Sequence, residues 1–387
     1  MKYVVLGAGR QGRAAAWDLI RHGGASQLVL ADMNEDFAAQ CVRQVAPPNS
    51  PVRVTSARGD ATHPETLVEL FRGADAVLSA VPWRLNPGVA RAAIAAKANF
   101  CDLGGNTDVT RQVLALDAEA RAAGVSLVPD CGLAPGMCNT LAVYAMGLLD
   151  RPREVRMFCG GLPASPRGEL KYSLLFSIEG VTTEYCGEAI VLRDGRLTRV
   201  PALAELEEFD HPELGKLEAV MTSGGTSTAA ETFLGKLDRF EYKTVRYPGH
   251  WSCMRAISEL GLFDLEPVIA DGVKVRPREL FHVVAQKRLD HGRVRDLVIL
   301  QVRCKGESKG KPAEVVLDIL DRFDEATGFS AMERTTGFAT AIVCAMQARR
   351  EVRPGALPLE TAIDAAKFVE ELRHRGMAPR IVWAPAS

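Results

Sequence analysis

Residues 4–15 read VVLGAGRQGRAA, and this stretch decides the fold class. Three apolar residues lead into Gly7, Gly9 and Gly12, and an alanine-rich run follows them. In that context the first glycine permits a tight turn, the second lets the backbone approach a pyrophosphate, and the third lets helix and strand pack closely. The stretch predicts a Rossmann dinucleotide-binding domain, with an ordinary βα turn as the alternative.

Polar and apolar residues further along the chain extend this candidate cofactor site. Asp32 follows Gly12 by 20 residues, at the end of the next predicted strand, where a carboxylate binds the adenine-ribose hydroxyls. A carboxylate there repels a 2′-phosphate, and Met33 and Asn34 supply no positive charge, so the sequence favours NAD over NADP. Asp60 is expected to accept a hydrogen bond from the adenine amino group, or else to be a solvated turn residue. The remaining expected contacts are Arg10, Gln11, Ala80, Val81 and Pro82.

The first 130 residues alternate short β-rich runs with runs of helical periodicity, which predicts a parallel sheet with helices on both faces. The β-rich runs are Lys2–Leu6, Gln27–Ala31, Val52–Ser56, Ala76–Ala80, Asn99–Asp102 and Ser126–Pro129. The helical runs are Gly12–His22, Glu35–Gln44, Pro64–Arg72, Gly88–Ala96 and Val109–Ala123.

After Pro135 the pattern changes, and a helix at Gly136–Leu149 is followed by longer β-rich runs. These are Glu154–Gly161, Tyr172–Ile178, Ala189–Arg193, Arg239–Arg246, Val294–Cys304 and Ala313–Phe323. Their length and their loop connections predict a mostly antiparallel sheet in a second α+β domain. Helices are expected at Thr336–Arg350 and Leu359–Arg373. The predicted division is a Rossmann domain at 1–130, an α+β domain at 131–335, and C-terminal helices at 336–387 that pack back on the first domain.

Composition excludes several classes of function. The 387 residues include 47 basic and 48 acidic ones, so a net charge of −1 gives no case for a nucleic-acid or membrane-surface partner. Seven scattered histidines without an HxH or HExxH pattern give no support for a metal site. Nine irregularly spaced cysteines without a CxxC predict reduced thiols in the cytoplasm. No signal peptide and no transmembrane run is expected, so the expected class is a soluble cytoplasmic enzyme or a soluble binding protein. The expected partner is a small-molecule amino-acid substrate.

The substrate is expected near the ends of the fifth and sixth strands, because ligands of open α/β sheets bind beyond the C-terminal ends of the strands. Asp102 ends the fifth strand, within CDLGGNTD at 101–108, and Asp130 and Cys131 follow the sixth. We interpret the glycines of CDLGG as room for cofactor and substrate. The alternative is a helix-capping turn with Asn106 or Thr107 as the cap. Cys131 has no neighbouring histidine and is interpreted as a wall residue.

Several segments together resemble one family over nearly the whole chain. They are LGAGRQG, DLGGNTD, VPDCGLAPGMCNTLA, FSIEGVTTEY, TSGGTST, EYKTVRYPGH and MERTTGFATA. The chain is similar to the saccharopine dehydrogenase/reductase superfamily, and within it most similar to bacterial L-lysine 6-dehydrogenases. The resemblance implies an NAD(P)-binding domain, a central domain that also dimerises, and hydride transfer at a carbon bonded to nitrogen.

Departures from the family pattern bear on the substrate. Saccharopine reductases carry a Trp in the pair that reads Phe176 and Ser177 here, which places both among the expected substrate contacts. Their loop corresponding to Thr222–Thr228 contains an arginine that pairs with a substrate carboxylate, and this chain has none there. Saccharopine has a glutarate arm that needs such partners, whereas lysine does not. The missing arginine therefore argues for the smaller amino acid.

The chemistry of amine oxidation then suggests roles for individual residues. The ε-amine must be neutral, because a protonated amine has no lone pair to assist hydride departure, so an acceptor is needed near its nitrogen; Asp102 is the first candidate and Glu179 the second. Arg246 is the best anchor for the α-carboxylate, and His250 is a candidate proton relay. Thr335, at the start of a helix, is expected to face the cleft. Arg246 and Glu179 could instead be structural ion-pair partners, and His250 a packed histidine.

The sequence thus predicts an NAD-dependent dehydrogenase, expected to be a homodimer or a higher homo-oligomer, that oxidises the ε-amine carbon of L-lysine. The products would be 2-aminoadipate 6-semialdehyde, which cyclises to piperideine-6-carboxylate, with NADH and ammonia. Two alternatives stay open. One is a dehydrogenase or reductase of saccharopine or carboxynorspermidine, and the other is a non-catalytic NAD-binding regulator.

Overall fold

The structure is a computed structural model, and it describes residues 1–47 and 49–385. The last two residues of the predicted C-terminal part, 386 and 387, lie outside this range. The described chain forms two compact units. Unit 1 comprises Met1–Tyr144, Ser227–Ala229 and Glu333–Pro379. Unit 2 comprises Ala145–Thr226, Ala230–Met332 and the segment from Arg380 on.

The elements follow one another along the chain in three stretches. The first contains β1 (Lys2–Leu6), α1 (Arg10–His22), β2 (Gln27–Asp32), α2 (Glu35–Val45), β3 (Arg53–Arg58), α3 (Pro64–Phe71), β4 (Ala76–Ser79), α4 (Asn86–Ala95), β5 (Asn99–Asp102), α5 (Thr107–Leu114), α6 (Asp117–Ala123), β6 (Ser126–Val128) and α7 (Cys138–Gly147). The second contains β7 (Arg151–Pro163), α8 (Ile178–Glu184), β8 (Glu188–Arg193), β9 (Arg196–Pro201), β10 (Glu207–His211), β11 (Gly215–Met221), α9 (Ala229–Thr232), β12 (Arg239–Arg246), α10 (His250–Glu259), β13 (Val268–Ala270), β14 (Val273–Val275), α11 (Pro277–Leu289), β15 (Asp296–Ser308) and β16 (Lys311–Arg322). The third contains α12 (Ala331–Glu333), α13 (Ala339–Ala348), β17 (Gly355–Ala356), α14 (Leu359–Ala362), α15 (Ala365–His374) and β18 (Arg380–Pro385).

Unit 1 is built on a parallel sheet of seven strands in the order β17-β6-β5-β4-β1-β2-β3. Its central strands are apolar without interruption, as parallel strands covered on both faces are, and Val4, Val5 and Leu6 of β1 are fully buried. Because the strands are parallel, the glycine loop after β1, Asp32 at the end of β2 and Asp102 at the end of β5 all lie at the carboxyl edge. The doubly wound α/β prediction is confirmed.

Unit 2 is built on a mixed sheet of nine strands. Its main path is β10-β11-β12-β7-β15-β16-β18, and β8 pairs with β12 and with β9. Only β12 and β7 pair in parallel among the described pairs of this sheet, so the prediction of a mostly antiparallel sheet is also confirmed. Phe158, Val245 and Ile299 belong to the apolar core on this sheet.

Three local predictions are wrong. Residues 172–177 form no strand but an irregular stretch, of which 172–175 are buried. Helix α8 begins only at Ile178, because the Ser177 hydroxyl caps it by accepting a hydrogen bond from the Gly180 amide at 3.1 Å. The helix predicted at Val109–Ala123 is two helices, α5 and α6. The helix predicted at Leu359–Arg373 also breaks in two, since Ile363 is extended and Asp364 caps α15 through the amides of Ala366 and Lys367.

Within the residues that the structure describes, no helix is both long enough and apolar enough to span a bilayer.

Candidate functional site

The glycine loop between β1 and α1 has the space and the backbone that a dinucleotide needs. Gly7 has φ of +99°, and a Cβ there would lie 2.7 Å from the Ala80 carbonyl oxygen. A Cβ on Gly12 would collide with the Gly7 carbonyl, so helix and strand need this glycine. A Cβ on Gly9 would meet no atom within 4 Å. Gly9 therefore borders open space at the N-terminus of α1, which no side chain caps and where a pyrophosphate would bind.

The other predicted cofactor residues surround this loop. The Asp32 carboxylate accepts from the Ala8 amide at 2.9 Å and from the Asn34 amide at 3.0 Å, so it also holds the loop in shape. The Ala80 amide donates to the Leu6 carbonyl at 2.7 Å, which sets 80–82 beside Gly7. Arg10, which is exposed, and Gln11, which is half-buried, begin α1.

Asp60 forms a local turn. Its Oδ1 accepts from the Thr62 amide at 2.9 Å and from the Thr62 hydroxyl at 2.6 Å, and these hydrogen bonds lower the pKa of the carboxyl. This geometry is that of an Asx turn, which favours the turn interpretation of Asp60 over the adenine contact.

Asp102 and Asp130 form a buried pair of acids at the carboxyl edge of the sheet. Asp102 is 2% exposed and Asp130 3%. The Asp102 Oδ1 accepts from the amides of Gly104, at 2.7 Å, and Asp130, at 3.1 Å. The Asp102 carbonyl also accepts from the Cys131 amide at 2.8 Å, so two consecutive residues after β6 bond to this one aspartate.

Burial changes the acidity of both groups. It is the largest cause that raises the pKa of Asp102 to about 7, and the nearby Asp130 charge raises it further. Burial likewise raises the pKa of Asp130 to about 6, against the hydrogen bonds from Ser227 and Thr110. An acid that titrates near neutral pH is suited to proton transfer.

The glycines of CDLGG have a different explanation from the predicted one. Gly104 and Gly105 have φ of +80° and +133°. A Cβ on Gly104 would collide with the Asp130 carboxylate, and one on Gly105 would lie 2.9 Å from Cδ1 of Trp83. The protein itself fills that room. Asn106 caps α5 by accepting from the amides of Asp108 and Val109, both at 3.1 Å, so the capping turn and the buried acid coexist.

Hydroxyl groups from distant parts of unit 1 surround Asp130. The Ser227 hydroxyl donates to Asp130 Oδ2, and the Thr228 hydroxyl donates to Glu360 Oε1 at 2.9 Å. These residues line a small cavity together with Thr110 and Asn139. Sequence reasoning missed this group. The hydroxyl residues of TSGGTST could have indicated a polar cluster, but nothing in the sequence indicated that Glu360 belongs to it.

Cys131 and Thr335 are both buried in unit 1. The Cys131 thiol contacts the Val128 carbonyl at 3.1 Å, and burial raises its pKa well above the ordinary value. A protonated, enclosed thiol agrees with its interpretation as a wall residue. Thr335 lies in a wide π-helical turn, Arg334–Phe338, which packs on α1 where Gly337 meets Ala14.

Arg246 and His250, in unit 2, belong to one buried network. The Arg246 Nε donates to the Tyr185 hydroxyl at 3.2 Å, and that hydroxyl lies 3.0 Å from His250 Nε2. The His250 Nδ1 lies 2.9 Å from the Leu170 carbonyl, which can only accept, so Nδ1 carries the proton and Nε2 accepts from Tyr185. The Arg246 guanidinium also stands over the Tyr172 ring at 5.1 Å.

This network favours the interpretation of His250 as a packed, structural histidine. Burial and then the Arg246 charge lower the pKa of His250 to about 3, and both ring nitrogens are engaged. Arg246 is 3% exposed, and its neighbour Glu184 has a pKa raised to about 7 by burial. The structure therefore gives the predicted proton relay no geometric support and leaves the carboxylate anchor a prediction.

The three remaining predicted residues lie on or next to α8 in unit 2. Glu179 and Phe176 are half-buried, and Ser177 uses its hydroxyl as the helix cap. The structure thus sorts the predicted residues into two groups. Unit 1 holds the cofactor residues with Asp102, Asp130, Cys131 and Thr335, and unit 2 holds Phe176, Ser177, Glu179, Arg246 and His250. Across 1–47 and 49–385, no three histidine, cysteine or acidic side chains cluster as a metal site would require.

Comparison with known proteins matches most of the chain. Residues 3–128 match the family model "Saccharopine dehydrogenase NADP binding domain", and residues 132–377 match "Saccharopine dehydrogenase C-terminal domain". The solved apo saccharopine dehydrogenase (L-Glu forming) from Saccharomyces cerevisiae has the same fold, with a TM-score of 0.80, 18% identity and 99% coverage of both chains.

Matches to curated relatives cover only part of each protein. The chain is 27% identical over 213 residues to the mitochondrial alpha-aminoadipic semialdehyde synthase of Bos taurus, covering 52% of this chain and 22% of that protein. It is 26% identical over 147 residues to the NADP(+), L-glutamate-forming saccharopine dehydrogenase of Saccharomyces cerevisiae, covering 36% of this chain and 32% of that protein. The aligned segments thus cover less than a third of the length of these relatives.

Proposed function

The chain belongs to the saccharopine dehydrogenase family, and on that premise we propose that it is an NAD-dependent dehydrogenase that oxidises the ε-amine carbon of L-lysine. The observation that carries the proposal is the buried Asp102, whose pKa is raised to about 7 at the carboxyl edge of a dinucleotide-binding sheet. Bound NAD would supply the hydride acceptor. The protein must supply an acceptor for the proton that the amine loses.

Asp102 meets that need in this proposal. Two backbone amides fix its Oδ1, so the carboxylate is oriented before the substrate binds. Oδ2 would then take the amine proton as the hydride leaves Cε. Water would attack the resulting C=N bond and release ammonia and the semialdehyde, which cyclises through the α-amine. Arg246 remains the proposed anchor of the α-carboxylate, and Glu179 the second candidate for the amine.

The experiment is a substrate panel with Asp102→Asn as the key variant. Wild-type protein mixed with lysine and NAD should form NADH. Asp102→Asn keeps the side chain's shape but cannot accept a proton at neutral pH, so kcat should fall by a factor of about 10²–10⁴, with NAD affinity unchanged by calorimetry. Asn106→Ser, which keeps a cap on α5, is the matched control and should retain activity. Full activity in Asp102→Asn would contradict the proposal.

One observation favours saccharopine as the alternative substrate. The relatives named above are saccharopine dehydrogenases or alpha-aminoadipic semialdehyde synthases. Against it, the loop Thr222–Thr228 has no arginine, and its Ser227 and Thr228 hydroxyls bond to Asp130 and Glu360. Turnover of saccharopine with none of lysine would decide for the alternative.

The choice between NAD and NADP depends on the residues at the ends of β2 and β3. Asp32 favours NAD because its charge repels a 2′-phosphate. Arg58 favours NADP, since it is exposed and pairs in register with Asp32 on the adjacent strand. We expect kcat/KM to favour NAD. We expect Asp32→Ala to lower kcat/KM for NAD about tenfold, which corresponds to ~1.4 kcal/mol, and Arg58→Ala to lower it for NADP only. An NADP preference in the wild type would overturn this assignment.

The proposal includes a homo-oligomer in the cytoplasm. All nine cysteines are unpaired, which supports a reducing compartment.

A further inference from the structure

Unit 2 buries a positive charge that no acid of the described chain contacts. Arg246 is 3% exposed, and no carboxylate of the described residues lies within ion-pair distance of its guanidinium. The Arg246 Nε donates to the Tyr185 hydroxyl at 3.2 Å, and Nη1 donates to the Val245 carbonyl at 3.0 Å. A guanidinium has five N–H donors, so three of them have no partner among the described residues. A buried charge is costly unless a counter-ion supplies the missing contacts.

A tyrosine hydroxyl beside this guanidinium is also unpaired. The centre of the Tyr172 ring lies 5.1 Å from Cζ of Arg246, and Tyr172 is 2% exposed. Its hydroxyl makes no hydrogen bond of normal distance and angle with the described residues. Buried hydroxyls nearly always have a partner, because an unpaired one costs free energy. A free hydroxyl beside free N–H donors indicates a ligand that accepts several hydrogen bonds, as a carboxylate does.

Glu184 is a half-buried acid that lies near Arg246 without contacting it. Burial raises the pKa of Glu184 to about 7, and the Arg246 charge opposes this rise, so the two groups are close enough to interact. The carboxylate nevertheless forms no ion pair and no hydrogen bond within the described chain. The backbone of Glu184 is fixed, since its carbonyl accepts from the Ser223 amide at 2.9 Å. Glu184 is also the last residue of α8, where the helix dipole disfavours a negative charge.

We propose that Glu184 and Arg246 together bind the charged head of an α-amino acid. Arg246 and the Tyr172 hydroxyl would bind its carboxylate, and Glu184 would bind its ammonium group. An α-amino acid carries both charges on one carbon, so its binding site needs opposite charges that are near each other but not paired. A simple anion would be repelled by Glu184 and a diamine by Arg246, so the two residues select a zwitterion.

This inference rests on the proposed function, because it takes Arg246 as the anchor of the α-carboxylate. It adds Glu184 as a residue that determines specificity. Lysine and saccharopine both carry an α-amino acid head, so the inference does not depend on the choice between these two substrates.

A chain of hydrogen bonds orients Arg246 before a ligand binds. The Tyr185 hydroxyl accepts from Arg246 and donates to the His250 Nε2 at 3.0 Å. The His250 Nδ1 donates in turn to the Leu170 carbonyl at 2.9 Å. The Trp251 ring adds a second aromatic wall, with its centre 5.8 Å from Cζ of Arg246. A carboxylate would therefore meet an oriented cation among buried rings, where charge-assisted hydrogen bonds are strong.

Calorimetric titration with two unreactive ligands tests the role of Glu184. L-Norleucine has the α-amine and α-carboxylate of lysine but no ε-amine, and hexanoate has the carboxylate alone. At pH 8, where Glu184 is charged, wild-type protein with NAD present should bind norleucine more tightly than hexanoate. Glu184→Gln keeps the shape of the side chain and removes its charge. The affinity for norleucine should then fall about 10–100-fold, and the affinity for hexanoate should not fall.

Two further variants complete the test. Tyr172→Phe removes only the unpaired hydroxyl, so it should weaken the binding of both ligands about 3–10-fold through the carboxylate that they share. Glu188→Gln is the matched control, because Glu188 is an exposed glutamate at the start of β8 that pairs with Arg199 at 3.3 Å. This control should bind norleucine as the wild type does. Circular dichroism confirms that each variant is folded.

Four results would each overturn the proposal. They are a wild type that does not bind norleucine, an unchanged affinity for norleucine in Glu184→Gln, an equal loss for hexanoate in that variant, and unchanged affinities in Tyr172→Phe. Neither ligand has an ε-amine to oxidise, so the titrations do not depend on lysine turnover. A protein with the expected affinities that does not oxidise lysine would contradict the proposed function alone.

Discussion

At the scale of single residues, Asp102 and Asp130 are buried acids held in place by different parts of unit 1. Asp102 ends β5, a position that follows from the alternation of strands and helices. The groups that surround its neighbour Asp130 come from far away: Ser227 is 97 residues along the chain, and Glu360 bonds to a residue 132 positions before it. No local pattern links them, because only the folded chain of unit 1 brings them together.

Arg246 and His250 illustrate a different limit of prediction from sequence. The sequence identified both as candidates, but residue type alone does not distinguish a catalytic group from a buried structural one. For His250 the partners favour the structural role, because the Tyr185 hydroxyl lies against one ring nitrogen and the Leu170 carbonyl fixes the proton on the other. Arg246 stays the proposed carboxylate anchor.

The raised pKa of Asp102 predicts the pH dependence of turnover. A carboxyl with a pKa of about 7 is protonated below that pH and charged above it. If its carboxylate accepts the amine proton, kcat should rise with pH through about 7 and then level. Asp130→Asn removes a negative neighbour, the second cause of the raised pKa, so the rise should move to lower pH.

The control for this pH profile is Glu184→Gln. Glu184 also has a pKa raised to about 7, but it lies beside Arg246 in unit 2, so this variant should leave the position of the rise unchanged. If Asp130→Asn leaves the rise where it is in the wild type, Asp102 is not the group that titrates.

At the scale of elements, the strength of the local pattern determined what could be predicted. The parallel sheet was predictable because each βα unit repeats the same signals. The stretch at 172–177 was misread as a strand because its apolar residues are buried against the core of unit 2 without pairing. Helix α11 was missed because its apolar residues lie on opposite sides and give no single amphipathic pattern. Phe281, Ala285 and Leu289 pack in the core of unit 2, whereas Leu280, Val283 and Val284 are exposed.

The glycine loop supports a prediction at this scale, because its glycines face different surroundings. Gly9→Ala adds a methyl group where no protein atom lies within 4 Å, so the fold should be unaffected while NAD binding weakens about tenfold or more. Gly12→Ala forces a collision with the Gly7 carbonyl and should destabilise the protein by about 1–3 kcal/mol. Thermal melts and calorimetric titration with NAD separate the two effects.

Gly147→Ala is the control for Gly9→Ala, because Gly147 also has no neighbour within 4 Å. It should leave NAD binding unchanged and keep or slightly raise stability, because Gly147 lies in α7 and alanine is the better helix former. Equal NAD affinity in Gly9→Ala and wild type would mean that the pyrophosphate does not approach the loop at Gly9.

At the scale of the whole molecule, a buried ion pair joins the two ends of unit 1. Arg375, at the end of α15, donates to the Asp18 carboxylate of α1 from two nitrogens, at 2.7 and 2.8 Å, across 357 positions of sequence. Both side chains are almost completely buried. This pair fixes the C-terminal helix on the helix that follows the glycine loop, and neither residue had a local signal in the sequence.

Breaking this pair should destabilise the protein strongly. Arg375→Met leaves a buried carboxylate without its partner, which costs about 3–5 kcal/mol. Burial already raises the pKa of Asp18 to about 6 although Arg375 lowers it, so without Arg375 the pKa rises further. A group whose pKa is raised by folding stabilises the fold below its unfolded value and loses that contribution as pH rises. The loss on Arg375→Met should therefore be larger at pH 8 than at pH 5.

Urea unfolding at both pH values measures this difference, and a double variant serves as its control. Asp18→Leu combined with Arg375→Met replaces the whole pair by apolar side chains, so no charge is left buried and much of the stability should return. The double variant should also lose most of the pH dependence that Arg375→Met shows, because the buried carboxyl is gone and Glu371, which pairs with Arg375 at 2.6 Å in the wild type, is the acid that remains at this position. A double variant as unstable as Arg375→Met at pH 8 would show that packing of the arginine stem, rather than its charge, holds α15 on α1.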